Sequence, residues 1–157
     1  MASAAARPPR RVLFVCVGNS CRSQFAEAAA RHLAADVIAP SSAGLSPLGR
    51  IADSTRRIAA EHGWPLDGQY SKGLDDAAVG LVDLVVNLTG IPARALFPHG
   101  APVVDWDVDD PYTEDLSVYR RVAEEIEERI RALADRIRAG LPPANGPAIP
   151  PSTERSP

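Results

Sequence analysis

The sequence predicts a single α/β domain built on an open parallel sheet. Three observations predict it. Val12, Leu13, Phe14 and Val15 form an unbroken run of buried-type β residues, as expected of a central parallel strand covered on both faces. Four β-prone stretches alternate along the chain with helical stretches, the pattern of a parallel sheet with helices packed on its faces. A length of 157 residues suits one core, since chains of about 100 to 200 residues usually form one domain.

Residues 1–10 are rich in Ala, Pro and Arg without an apolar centre. They read as a flexible arm and not as a secretory signal. Residues 11–17 make the first strand, and residues 23–35 the first helix, with Phe25, Ala29 and Leu33 on one face. His32 on that helix reads as a packing or surface residue. Residues 37–43 make the second strand, closed by the turn Ser41-Ser42-Ala43-Gly44. A loop at 45–49 leads to a helix over 52–62 that stops at Gly63. Residues 81–88 make the third strand, with Asp83 near its start, and residues 102–106 a short fourth.

The strongest helix signal spans residues 116–139. Tyr119, Val122, Ile126, Ile130, Leu133 and Ile137 recur there at three- and four-residue steps, with Glu and Arg opposite. Asp115 is placed to cap it. Gly140, Pro142 and Pro143 end it, and residues 141–157, rich in Pro, Ser and Ala, cannot bury enough apolar surface to fold and read as a disordered tail. The folded domain is therefore residues 11–140.

Composition excludes several classes. A net charge of −3 carries no broad basic field, so nucleic acid is not an expected partner and any anion site is local. No apolar run approaches the roughly 18 residues that span a bilayer. A soluble cytoplasmic protein is expected. The two cysteines, Cys16 and Cys21, share one short loop and cannot staple a fold. Without neighbouring His or acidic ligands they make a poor zinc site, so no metal or cofactor is expected.

The chemistry concentrates in residues 12–24. A strand ending at Cys16, a tight loop and then a helix gather the loop's N–H groups and the positive end of the helix dipole around one point, which makes an anion site. The sulfur of Cys16 falls at its centre. A thiol so placed beside Arg22 is held as the nucleophilic thiolate at neutral pH. Arg22 offers two parallel N–H donors to a tetrahedral oxyanion, which Lys could not match. Ser23 can either cap the helix or donate its hydroxyl to the sulfur. Gly18 permits close approach of a ligand, and Asn19 tolerates left-handed torsions while bracing the loop.

The octapeptide Cys16-Val17-Gly18-Asn19-Ser20-Cys21-Arg22-Ser23 resembles the phosphate-binding loop of the low-molecular-weight protein tyrosine phosphatase superfamily, which includes thioredoxin-linked arsenate reductases. The resemblance runs from about residue 11 to residue 139. It implies a flavodoxin-like topology with strand order 2-1-3-4, helices on both faces and the Cys16 loop at the switch point. It also implies a contact from Ser42 to Asn19, against which stands the plainer reading of a solvated turn serine. Leu48, in the family's variable substrate loop, is an aliphatic wall where tyrosine-directed members usually offer a bulky or aromatic group. Gln69 stands where many of the phosphatases carry a His that buttresses the loop Asn, and looks more like the reductase branch. Residues 88–98 lack the two relay cysteines of thioredoxin-linked reductases.

Asp110-Pro111 resembles the family's acid loop. Pro111 has a fixed φ and biases Asp110 toward an extended backbone, so its carboxyl is aimed across a cleft. Like charges disfavour ionisation, so a carboxyl facing a bound dianion is kept as a proton donor. Asp105, Asp107 and Asp109 read as solvated acids of the same loop. Tyr112 would line the cleft, and Thr113 replaces the family's second aromatic.

Two enzyme readings follow from the resemblance. The first is hydrolysis of phosphate monoesters, either protein phosphotyrosine or small aryl or acyl phosphates, through a cysteinyl-phosphate. The alternative is reduction of arsenate by the same Cys16, with electrons from Cys21 or from an external thiol or redoxin partner. A third reading, an oxyanion sensor without turnover, leaves both the nucleophile and the acid without a task. Cys21 is read two ways: as the partner in a protective disulfide with Cys16, a theme of this family, or as a small, partly buried loop residue.

Overall fold

A computed structural model describes residues 7–74, 79–97 and 102–143 of the chain. Most of the expected arm and tail, residues 1–6 and 144–157, lies outside these residues. The sheet has four parallel strands in the order β2-β1-β3-β4. The strands are β1 (Arg10–Cys16), β2 (Ile38–Gly44), β3 (Leu84–Asn87) and β4 (Val103–Asp105). β1 lies centrally because Val12, Leu13, Phe14 and Val15 are fully buried on both faces, as the unbroken apolar run requires.

Helices α1 (Arg22–Leu33), α2 (Asp53–His62) and α4 (Leu116–Arg138) pack on one face, with Phe14, Phe25, Ile58, Val122, Ile126 and Ile130 in one apolar cluster. The other face buries Leu13, Val15 and Val85 under Leu74, the 3-10 turn Val79–Leu81, and Phe97 at the end of the single-turn helix α3 (Ala93–Leu96). Ala26, Ala28, Ala29 and Ala30 let α1 lie close to the sheet and to α4, so the helix is buried almost throughout. Phe25 stands edge-on to Trp64 and to Tyr119, each with ring centroids 6.5 Å away. Removing such a side chain from water stabilises the fold by roughly 1.5–3 kcal/mol.

Boundaries moved for local reasons. β1 starts at Arg10, one residue inside the expected arm, because Arg10 already pairs in register with Ile38. β3 is shorter than residues 81–88 because residues 79–81 coil into the 3-10 turn. Asp83 turns its carboxylate onto the Arg11 backbone N–H and guanidinium at 2.8 and 3.0 Å. α3 had no separate sequence signal. The C-terminal stop of α2 is as expected: Gly63 takes φ +77°, and its N–H closes onto Ala59 and Ala60. Asp115 caps α4 by accepting from the Ser117 and Val118 N–H groups; the Ser117 hydroxyl bond first, then these N–H groups, hold its carboxyl below the usual range.

Candidate active site

Cys16 ends β1 at the carboxyl edge of the sheet, between β2 and β3. This is where the strand order reverses and a crevice opens in sheets of this kind. The loop that follows turns its carbonyls outward, and almost every one is taken by a donor from elsewhere. The N–H groups of Leu45, Ser46 and Leu48 donate to the carbonyls of Cys16, Val17 and Gly18 at 3.1, 2.9 and 3.0 Å. Thr55 Oγ1 donates to the Ser20 carbonyl at 2.8 Å, and the Ala52 N–H donates to the Ser20 hydroxyl at 2.9 Å. Gln24 Nε2 donates to the Asn19 carbonyl at 3.1 Å. The loop carbonyls are thereby bonded away from the cleft, an arrangement that suits an anion-binding concavity of backbone N–H groups.

Two backbone features make this curl possible. Asn19 takes φ +48°, the left-handed region that Asn enters more readily than most residues. Gly44 pairs in register with Cys16, and a Cβ there would lie 2.8 Å from both the Asn19 nitrogen and the Val17 carbonyl oxygen. Only glycine lets β2 run beside the loop at that distance.

Arg22 starts α1, and 6% of it is exposed. Its Nη1 donates to the Leu88 and Val108 carbonyls at 2.6 and 3.2 Å. Those bonds fix one edge of the guanidinium. The other edge carries Nη2, 3.6 Å from the Asp110 carboxylate, and Nε, which is buried without a hydrogen-bond partner among the described residues. A planar fork with one buried, unsatisfied N–H is built to receive a bidentate oxyanion. Among the described residues, a cleft of about 200 Å³ is lined by Cys16, Gly18, Ser20 and Arg22 at its base and by Leu48, Asp110 and Tyr112 at its mouth.

Ser23 does not cap α1, whose start carries no side-chain cap. Its hydroxyl lies 2.9 Å from Cys16 Sγ and accepts from Asn19 Nδ2 at 2.7 Å. The open choice between cap and sulfur contact is thus decided for the sulfur. Asn19 Nδ2 also donates to Ser42 at 3.0 Å, so Ser42 is buried and bonded and is not a solvated turn serine. Gln69 reaches Asn19 only through Gln24: its Nε2 donates to Gln24 Oε1 at 2.7 Å, and Gln24 Nε2 donates to Asn19 Oδ1 at 3.0 Å. Cys21 is buried with its sulfur 3.6 Å from the Tyr119 hydroxyl, and both cysteines are free thiols. Burial pushes the Cys21 thiol above its ordinary range.

Residues 11–142 match the low molecular weight phosphotyrosine protein phosphatase family. The chain belongs to that family. It is 34% identical over 131 residues to the glutaredoxin arsenate reductase of Synechocystis sp., across 82% of this chain and 98% of that protein. Among solved structures it resembles an arsenate reductase in a phosphate-binding state, with TM-score 0.73 and 32% identity, covering 82% of this chain and 98% of the other. It also resembles an arginine phosphatase from Geobacillus stearothermophilus, with TM-score 0.75 and 25% identity, covering 84% and 95%. This family member is accordingly an enzyme whose relatives include both phosphatases and arsenate reductases.

Of the residues expected in the site, Cys16, Val17, Gly18, Ser20, Cys21, Arg22, Leu48, Asp110 and Tyr112 line the cleft, while Asn19, Ser23, Ser42 and Gln69 are buried behind it. Sequence reasoning overlooked Glu27, whose carboxylate accepts from Ser42 at 2.6 Å, and it read Gly44 as an ordinary turn residue and Tyr119 as plain core. A lone acid within Ala26, Ala28, Ala29 and Ala30 was the available signal for Glu27. An acid on a face that must be buried needs partners.

Proposed function

We propose that this family member is a cysteine phosphatase that hydrolyses phosphate monoesters, of protein phosphotyrosine or of small aryl or acyl phosphates, through a cysteinyl-phosphate. The observation that carries this reading is the seat of Asp110 on the cleft mouth beside Arg22, because a leaving alkoxide or phenoxide must be given a proton. The loop N–H groups and the Arg22 fork hold the three non-bridging oxygens. The Cys16 thiolate attacks phosphorus in line as the ester P–O bond breaks, and Asp110 transfers its proton to the departing oxygen. Asp110, now a carboxylate, takes a proton from water as that water attacks phosphorus. The P–S bond breaks, and phosphate leaves with Cys16 regenerated. Leu48 and Tyr112, both substantially exposed, offer the leaving group one aliphatic and one aromatic wall.

A second reading is supported by the arsenate reductases at 34% identity. The same thiolate would bind arsenate. A second thiol would attack the Cys16 sulfur, releasing arsenite and leaving a disulfide that a further thiol reduces. Residues 88–98 hold no cysteine, so the thiols would be Cys21 or an external donor such as glutathione, mycothiol or a redoxin.

One preparation assayed on p-nitrophenyl phosphate, an acyl phosphate and arsenate, with and without added thiols, tests both readings. Hydrolysis without thiol, abolished in Cys16→Ser while phosphate still binds, is the expected result. Arsenite released only with a thiol system, and no hydrolysis, would replace the first reading by the second. A Cys16→Ser variant that still hydrolyses would sink both.

A further inference from the structure

The two carboxyl oxygens of Asp110 are not alike. Oδ1 accepts from the Tyr112 backbone N–H at 3.1 Å, while Oδ2 lies 3.6 Å from Nη2 of Arg22, which lines the same cleft. A backbone N–H can only donate. An oxygen that accepts such a bond commits a lone pair to it, so a proton added to this carboxyl goes to Oδ2, the oxygen turned toward Arg22.

The turn that presents the Tyr112 N–H is held at both ends. The Glu114 N–H donates to the Pro111 carbonyl at 2.8 Å, closing a four-residue turn with Tyr112 and Thr113 at its centre. Thr113 takes φ +70° there, a left-handed torsion that a β-branched residue enters only where its surroundings impose it. Downstream, Asp115 caps α4 two residues after Thr113. Upstream, Pro111 is buried, the Val108 carbonyl accepts from Arg22 Nη1 at 3.2 Å, and Asp109 pairs with Arg121 at 3.1 Å.

We propose that Tyr112 is a positioning residue for the acid, acting through its backbone N–H: by occupying Asp110 Oδ1, it places the transferable proton on Oδ2, facing the oxygen that leaves. As the ester P–O bond breaks and that proton passes to the departing oxygen, the carboxyl becomes a carboxylate. The N–H bond to Oδ1 is then charge-assisted, so it strengthens along the reaction. The inference rests on Asp110 being the proton donor and deepens that reading.

Tyr112→Pro removes the N–H and suits the turn, since proline is favoured at its first central position. Tyr112→Ala removes the ring and keeps the N–H. Both are assayed on phenyl phosphate, whose phenolate leaves poorly, and on p-nitrophenyl phosphate. Tyr112→Pro is expected to lower kcat on phenyl phosphate about tenfold more than on p-nitrophenyl phosphate, the size of one lost hydrogen bond. It adds nothing to that split in the Asp110→Asn background. Tyr112→Ala lowers the two rates by one common factor. Equal losses in Tyr112→Pro, or the same split in Tyr112→Ala, overturn the proposal and leave Asp110 its role. Equal losses on the two esters in Asp110→Asn, or no hydrolysis of either by the wild type, remove the acid role itself and the proposal with it. Should Tyr112→Pro not fold by circular dichroism, exchange of the Tyr112 amide hydrogen, followed by NMR, stands in for it. Exchange about tenfold faster in Asp110→Ala supports the proposal, and an unchanged rate overturns it.

Discussion

The carboxylate of Asp110 lies 3.6 Å from Nη2 of Arg22 across the mouth of the cleft. One partner is buried and anchored to two carbonyls, while the other is half exposed on a loop. On the proposed mechanism, an oxyanion taking the Arg22 fork would displace this pairing and leave Asp110 facing the leaving oxygen, so that the same two residues would serve binding and proton transfer in turn.

Asp110→Asn keeps the size of the side chain and removes its transferable proton. On phosphate esters with poor leaving groups, kcat is expected to fall about 10²- to 10³-fold. The loss should be much smaller with p-nitrophenyl phosphate, whose phenolate leaves with little help. Steady-state assays on the two substrates check this; equal losses on both would remove Asp110 from the acid role.

Arg22→Lys retains a charge but cannot hold both the Leu88 and Val108 carbonyls while presenting a fork. A fall in kcat/KM of about 10²- to 10³-fold is expected, together with weaker phosphate binding by calorimetry. Unchanged phosphate affinity would show that the loop N–H groups suffice.

Gly44→Ala tests the backbone arrangement. Its methyl would meet the Asn19 nitrogen and the Val17 carbonyl, both backbone atoms with little freedom to yield. We expect a loss of roughly 1–3 kcal/mol in stability by chemical denaturation, with oxyanion binding lost along with the shape of the loop. A variant that binds phosphate normally would show that the loop can shift without consequence.

Cys21 gives a pH dependence of known sign. Burial raises its thiol in the folded chain, opposed only in part by its bonds to Thr55 and Tyr119. The unfolded thiol ionises near its ordinary value of about 8.5. The stability contribution is therefore fully present below that value and is lost as pH rises through the folded one. Tyr119, itself pushed up mainly by burial, adds a loss of the same sign above the ordinary phenol range. In a Cys16→Ser background, unfolding free energy should decline between about pH 8 and 10, and Cys21→Ser should remove the earlier part of that decline.

Much of this architecture was legible in the chain. An unbroken apolar run means a central strand, and the three- and four-residue recurrence from Tyr119 to Ile137 means a helix with one buried face. Both are local rules, and both hold here with ends shifted by a residue or a few. The Cys16 loop was legible for the same reason, since the Cys16 thiol, the loop amides and the Arg22 guanidinium are carried by eight consecutive residues whose geometry is set by the strand before and the helix after. Pro111 marked Asp110 by restricting the backbone in front of it.

What the sequence by itself determined is therefore whatever short-range backbone geometry enforces: the parallel α/β plan, the loop from Cys16 to Ser23 and the turn that carries Asp110. Tertiary structure alone decided which distant groups meet behind that loop. Gly44 lies against the loop because β2 runs beside β1 in one register, Tyr119 reached Cys21 because α4 packs on α1, and Glu27 met Ser42 because a helix with alanines at 26, 28, 29 and 30 lies close enough to bury a carboxylate. Those contacts depend on how rigid elements pack, and buried polar groups must then find one another because water is no longer there to satisfy them.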